Sequence, residues 1–233
     1  MKQVRLLRLY GDLMDLYGDR GNLTALTYRL GQLGVPFTVE ERGVFDAIDF
    51  GAYDLVYVGP GKDRNLLRAA EHLAGYADGL RAAVEADTVF LATGSAQLLF
   101  GRSITDETGA EHPAAGLFDY TGAVTGEVFI DDAVLEPVFM PDEPAYGFIN
   151  RTSRMVGGGD MPLFRVRYAE KPIGDAEGIL YRNFLGTWAL GPLLAKNPAL
   201  LKNVLERLLG EPVTFDDARQ REALRRTLAE LPG

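Results

Sequence analysis

This sequence predicts an α/β fold, and three observations carry that prediction. Short apolar runs of strand character alternate with longer stretches whose leucines recur at helical spacing. At 233 residues and 47% hydrophobic content the chain can bury one sizeable core, and no shift in composition marks a second domain. The third observation is Asp87 to Gly101, where the apolar run Val89-Phe90-Leu91-Ala92 ends in Thr93-Gly94-Ser95 and restarts as Ala96-Gln97-Leu98-Leu99-Phe100. That pattern is a buried strand, a tight corner and a helix start, the shape of a nucleophile elbow. In an elbow the corner side chain is pushed clear of the sheet and incoming N–H groups can stabilise an oxyanion. The corner residue is expected to be Thr93.

Taken in order, Val4 to Leu9 is the first strand, and it empties into a loop holding Asp12, Asp15, Asp19 and Arg20. An interaction surface and a hydrogen-bonded structural loop both account for that loop. Asn22 is placed to cap a helix over Leu23 to Leu33, with Leu23, Leu26, Leu30 and Leu33 on its buried face. Pro36 to Glu41 and Asp54 to Val58 are the next strands, the latter ending in Gly59-Pro60-Gly61-Lys62-Asp63-Arg64. A glycine-rich turn at a strand's C-terminal end is either a ligand site or a plain connection to the following helix. That helix spans Asn65 to Ala86, with a break near Gly75 and Gly79. After the elbow, Arg102 to Gly122 is polar and glycine-bearing, as expected of a surface excursion. Strand-like runs follow at Gly122 to Ile130, Pro144 to Phe148, Leu163 to Tyr168 and Glu177 to Tyr181, then Phe184 to Pro192 gives a last strand and a sharp loop. Two amphipathic helices close the chain, Ala199 to Leu209 and a surface helix from about Phe215 to Leu231 within residues 215–233.

Composition removes several function classes. With 24 Lys and Arg against 33 Asp and Glu, the net charge of −9 argues against nucleic acid or an anionic membrane as the main partner. No apolar run approaches membrane-spanning length and Met1 to Arg5 leads straight into a strand, so a cytoplasmic protein without membrane insertion is expected. The absence of cysteine excludes disulfides, thiolate metal sites and a thiol nucleophile. Only His72 and His112 offer imidazoles; the first fits a partly exposed helix position and the second a solvated loop. No metal and no cofactor is expected.

Five blocks in order look familiar: Asp12 to Asn22, Gly59 to Arg64, Gln97 to Gly101, Gly147-Phe148-Ile149-Asn150, and Gly186-Thr187-Trp188-Ala189-Leu190-Gly191-Pro192. Together they resemble the class I glutamine amidotransferases of the cobyric acid synthase type, and within them the GatD subunits of lipid II isoglutaminyl synthase. The resemblance covers roughly the first 210 residues, and Leu13 to Asn22 is its most specific part. It implies a flavodoxin-like, mostly parallel sheet with helices on both faces, in one domain over residues 1–233. It also implies a glutaminase that cuts glutamine through a cysteine thioester and passes ammonia to MurT, a Mur-ligase-like partner.

The departures from the family bear on activity. Anchored on Gln97, the family's nucleophile falls on Thr93 and the two glycines after it on Gly94 and Ser95. Anchored on Gly186-Thr187 and Gly191-Pro192, its base histidine falls on Leu190, and a substrate-gripping arginine falls on Ala123 if Gly126 is the strand glycine. The family's Glu-Asn-His is Ile149-Asn150-Arg151. Gly59 and Gly61 would lie beside the elbow and offer an oxyanion donor. A thioester route needs a thiolate and a proton-carrying imidazole, and Leu190 can neither take nor give a proton. The expectation is therefore a GatD-like subunit without glutaminase chemistry that binds a Mur-ligase-like partner. Two alternatives stand beside it: an active subunit using Thr93 or Ser95, and a receptor that binds glutamine or an apolar metabolite in the old pocket lined by Gly59 to Arg64, Thr93 to Gln97 and Trp188 to Leu190.

Overall fold

The apolar runs that open the chain build one sheet from parallel strands. In the computed structural model, which describes residues 3–231, β1 (Val4–Leu9), β2 (Phe37–Arg42), β3 (Leu55–Val58) and β4 (Val89–Thr93) pair in the order β4-β3-β1-β2. Every residue of β3 and β4 is buried, as expected where helices cover both faces of parallel strands. The covering helices are α1 (Gly21–Gln32), α2 (Asp63–Ala74) and α3 (Ala77–Glu85). The helix expected over residues 65–86 thus breaks once, at Gly75 and Tyr76. Asn22 is not the cap of α1: it lies inside the first turn, and its Oδ1 accepts from the Leu194 N–H at 2.7 Å. A side chain with a distant backbone partner to satisfy is worth more there than at a helix end that solvent can serve.

After β4 the chain forms a 3₁₀ segment, Gly94–Phe100, and then leaves for a second sheet. Its strands are β5 (Ser103–Thr105), β6 (Glu111–Pro113), β7 (Tyr120–Pro137), β8 (Ala145–Gly157), β9 (Phe164–Ala169) and β10 (Ala176–Glu177). The long β7–β8 pair is antiparallel, with an irregularity between Val124 and Phe129. Residues 102–122 are therefore a surface excursion only in part, exposed over 107–111 and packed into the core at both ends. Ile104 and Tyr120 are fully buried, and the Tyr120 ring fills the space a side chain on Gly101 would need. Polar spacers hid the pattern, because on short strands only one face is apolar.

The run expected as one strand over 177–181 divides at Gly178, whose φ is +74° and whose missing Cβ would overlap the Gly186 carbonyl. Before it, β10 joins the second sheet; after it, β11 (Ile179–Tyr181) pairs with β12 (Phe184–Thr187) on the edge of the first, beside β4. β13 (Ala189–Leu190) returns to the second sheet through β8. α4 (Leu193–Lys196), α5 (Pro198–Leu209) and α6 (Ala218–Glu230) complete the chain. None of the helices is long and apolar enough to cross a membrane among the described residues.

Candidate functional site

Parallel strands deliver their C-terminal ends to one edge of the sheet, and the loops after β1, β3, β4 and β12 meet there. The corner after β4 is at the centre of that edge. Thr93 keeps an extended backbone, φ −109° and ψ 148°, and the left-handed turn falls on Gly94 with φ +58°. The strained position is thus one residue later than the sequence suggested. Glycine takes this conformation without the Cβ penalty that a β-branched threonine would carry.

Thr93 is completely buried, and its hydroxyl donates to Asp19 Oδ2. The Tyr57 hydroxyl donates to the same oxygen at 2.9 Å. Asp19 is itself fully buried, and that burial pushes its pKa up to about 6 against the opposing hydrogen bonds of Thr93, Tyr57 and Asn22. The acidic loop after β1 is therefore structural at Asp19. It is anchored elsewhere as well, with Asp15 2.8 Å from Arg8 and the Leu13 carbonyl accepting from Asn65 at 2.9 Å.

The Gly59-Pro60-Gly61 turn lies against the corner and is buried. A Cβ on Gly94 would sit 2.8 Å from Pro60 Cβ and 3.0 Å from Leu190 Cδ2. Leu190 thus closes over the corner as a packing residue. The Gly61 N–H donates to Ser95 Oγ at 3.3 Å, so the backbone donor expected to face an oxyanion is taken by the serine. Met14 fills the space above Gly61, and the Tyr57 hydroxyl the space above Gly59, 2.8 Å from where its Cβ would be. Gln97 is fully buried; with its carbonyl turned toward Trp188 it accepts from the backbone N–H at 3.0 Å and the indole at 3.3 Å. Ala123 does not reach the corner. It lies half-buried on β7, opposite Thr105 of β5 and Arg154 of β8.

A cavity of about 40 Å³ borders the corner between Tyr17, Gly61, Ser95 and Arg151. That is room for a few waters at most, whereas small-molecule sites run to about 300–1,000 Å³. Of the pocket expected between the three loops, the space over Gly94 is taken by Pro60 and Leu190 and that over Gly61 by Met14. Neither histidine has a hydroxyl of the corner as a partner. His72 Nδ1 bonds the Tyr10 hydroxyl at 2.8 Å. His112 is not a solvated loop residue but sits on β6, bonded to Glu71 at 2.9 Å and Asp106 at 3.0 Å, contacts that raise its pKa.

A family model described as the CobB/CobQ-like glutamine amidotransferase domain matches residues 5–198, which takes in both sheets and the whole corner. The chain belongs to this amidotransferase family. A GatD subunit of the glutamine-hydrolyzing lipid II isoglutaminyl synthase from Streptococcus pneumoniae is 31% identical over 204 residues, covering 85% of this chain and 77% of that protein. The corresponding Staphylococcus aureus subunit is 26% identical over 213 residues, 89% of this chain and 85% of that one. Among solved structures, the glutaminase domain of Trypanosoma brucei CTPS superposes with a TM-score of 0.56 at 10% identity, covering 91% of this chain and 96% of that one. A glutamine amidotransferase crystal structure gives 0.54 at 16% identity, with 87% and 98% covered. These structures share its flavodoxin-like class I amidotransferase fold.

Within this CobB/CobQ-like frame, the structure adds a role for two groups that sequence reasoning did not assign. Glu177, on β10, is buried and accepts from the Thr187 hydroxyl at 2.7 Å and the Trp188 N–H at 2.5 Å; burial raises its pKa to about 7. Arg151, on β8, lies with its guanidinium 5.1 Å from the Trp188 ring centre. A lone glutamate before a glycine carries no sequence signal of burial. Arg151 was visible only as a departure from the family's Glu-Asn-His.

Proposed function

We propose that this chain is a GatD-type subunit that has lost glutamine hydrolysis and serves the amidation of a peptidoglycan precursor by binding a Mur-ligase-like partner of the MurT type. The observation that carries this reading is the fully buried Thr93 hydroxyl, committed to Asp19 at a corner over which Pro60 and Leu190 close. Amide cleavage by this route requires a nucleophile, a proton carrier for the departing ammonia and room for the tetrahedral intermediate. A hydroxyl that is donating to a buried carboxylate is not aimed at a substrate. Removing one member of a catalytic unit costs several powers of ten, and here both positions assigned to the pair are altered. Support for the pathway comes from the two GatD relatives and from the extent of chain they match.

One observation favours an active enzyme instead. Asp19, with its pKa raised to about 6, is bonded to Thr93 in the way a general base is bonded to a nucleophile. A base of that strength leaves an aliphatic hydroxyl almost wholly protonated, and the proton carriers at hand, Asp19 and the Tyr57 hydroxyl, are buried and bonded to each other. Ser95 borders the small cavity, but its hydroxyl is bonded to Gly61.

Glutamate release from glutamine by the purified chain, alone and with the Mur-ligase-like protein of the same organism, separates the readings. The expected result is no glutamate above buffer and a stable complex of the two chains. Turnover abolished by Thr93→Ala or Ser95→Ala would overturn the loss; failure of the two chains to associate would overturn the partnership.

A further inference from the structure

Two exposed aromatic side chains stand in the loops that follow β1 and β2, and the hydrogen-bond network at the corner uses neither. Tyr17 is 52% exposed and Phe45 87% exposed, and the Tyr17 backbone is held in the left-handed region at φ +62°. A bulky residue keeps that conformation only where its surroundings impose it, and such strain concentrates at functional positions. The two loops flank the first two turns of α2. Tyr17 borders the small cavity together with Asp63, and the Phe45 ring lies under Arg68, whose guanidinium is 5.1 Å from its centre. Along a helix the distance from residue 63 to residue 68 is about 7–8 Å, so both aromatic groups edge one short stretch of surface. Lys62, Arg64 and Arg68 occupy that stretch; all three are exposed, and among the described residues none of them makes an ion pair. The neighbouring carboxylates are engaged elsewhere: Asp63 accepts from the Thr152 hydroxyl at 3.0 Å, Glu71 bonds His112 at 2.9 Å, and Asp46 accepts from the Gly43 N–H at 2.7 Å.

We propose that the Mur-ligase-like partner docks on this patch, through an acidic surface of that partner with apolar sockets for Phe45 and Tyr17. The inference rests on the partnership proposed above and adds the residues and the chemistry that make it. Aromatic side chains and arginine carry most of the binding energy at protein interfaces, and the stacked pair of Arg68 and Phe45 is ordered before binding. Three cations without counter-ions select an acidic face by charge complementarity. A second copy of the chain would bring the same cations together across a symmetric interface, and a net charge of −9 opposes approach to an anionic bilayer.

The experiment measures by calorimetry the affinity of the full chain for the Mur-ligase-like protein of the same organism. The variants are Phe45→Ala, Arg64→Glu and Arg68→Glu, with Tyr28→Ala, at a 59% exposed aromatic of α1, as the control. Each of the first three should weaken binding about tenfold or more without moving the melting temperature, and Tyr28→Ala should not. The parent affinity should fall as salt is raised from about 50 to about 500 mM. If the two parent chains do not associate, the partnership and this surface fall together. If they associate, the surface alone falls should Phe45→Ala bind as the parent does, should neither charge reversal weaken binding, or should Tyr28→Ala lose as much. A dimer of the chain alone that Phe45→Ala dissolves, or sedimentation with phosphatidylglycerol vesicles that Arg68→Glu abolishes, would assign the patch to another occupant and overturn the proposal.

Discussion

At the corner the chemistry is decided by which partner each side chain already has. Thr93 donates its hydrogen bond to Asp19, Ser95 is bonded to Gly61, and Leu190 packs on Gly94. Placing the pair that the resemblance implies, as Thr93→Cys with Leu190→His, is therefore expected to leave glutamine uncleaved, because a thiol and an imidazole do not by themselves clear Pro60 and Met14 from the corner. A coupled assay for glutamate checks this, and turnover by the double variant would show that the closed chamber is not the obstacle. The two buried carboxylates make a separate prediction. Unfolded carboxyls titrate near 4, whereas Asp19 is raised to about 6 and Glu177 to about 7. Stability contributed by these groups is fully present below about pH 4 and is lost as the pH rises through about 6 and 7, where the fold must ionise groups it holds away from water. The urea midpoint should be higher at pH 5 than at pH 8, and Glu177→Gln should flatten the difference, by up to about 3 kcal/mol for a shift of that size. Asp19 stands in the most specific string of the sequence, yet its burial depends on Tyr57 and Thr93, which arrive from other strands.

Among elements, glycine positions distinguish a required turn from an incidental one. Gly94 has φ +58° and lies against Pro60 and Leu190, so Gly94→Ala is expected to cost about 2–4 kcal/mol in chemical denaturation. Gly79, inside α3 with nothing within 4 Å of the place a methyl would take, should accept alanine with a gain of about 0.5–1 kcal/mol. If both substitutions cost the same, the corner is not under the constraint its geometry implies. The central strands and α1 to α3 were legible because each buries a continuous or periodic apolar set that the local sequence spells out. The second sheet was legible only as isolated runs. Nothing local to Glu177 and Ile179 says that Gly178 sends them to different sheets, because that division is enforced by the Gly186 carbonyl, which belongs to β12.

For the whole molecule, α6 is the least committed part. None of its residues is buried, and it is tied to the body through Arg221, which meets Glu143 at 3.0 Å, and through the half-buried Leu224. Ending the chain before Asp217 should lower the melting temperature by about 2–8 °C, the shift expected for a loss of ~1–2 kcal/mol in a chain of this size, with unfolding still cooperative. Loss of the cooperative transition would mean that this helix closes the core. The sequence by itself determined the α/β class, the order of strands and helices around the corner, the family, and the absence of a thiol and of a proton carrier at the two positions that the resemblance assigns to the pair, since residue identity and short-range periodicity are local properties. Only the tertiary structure decided that the turn is made by Gly94, that Thr93 is spent on Asp19, and that Asp19 and Glu177 are buried. Burial, hydrogen-bond partners and cavities are set by residues far apart in the chain, and their positions follow only once both sheets are packed.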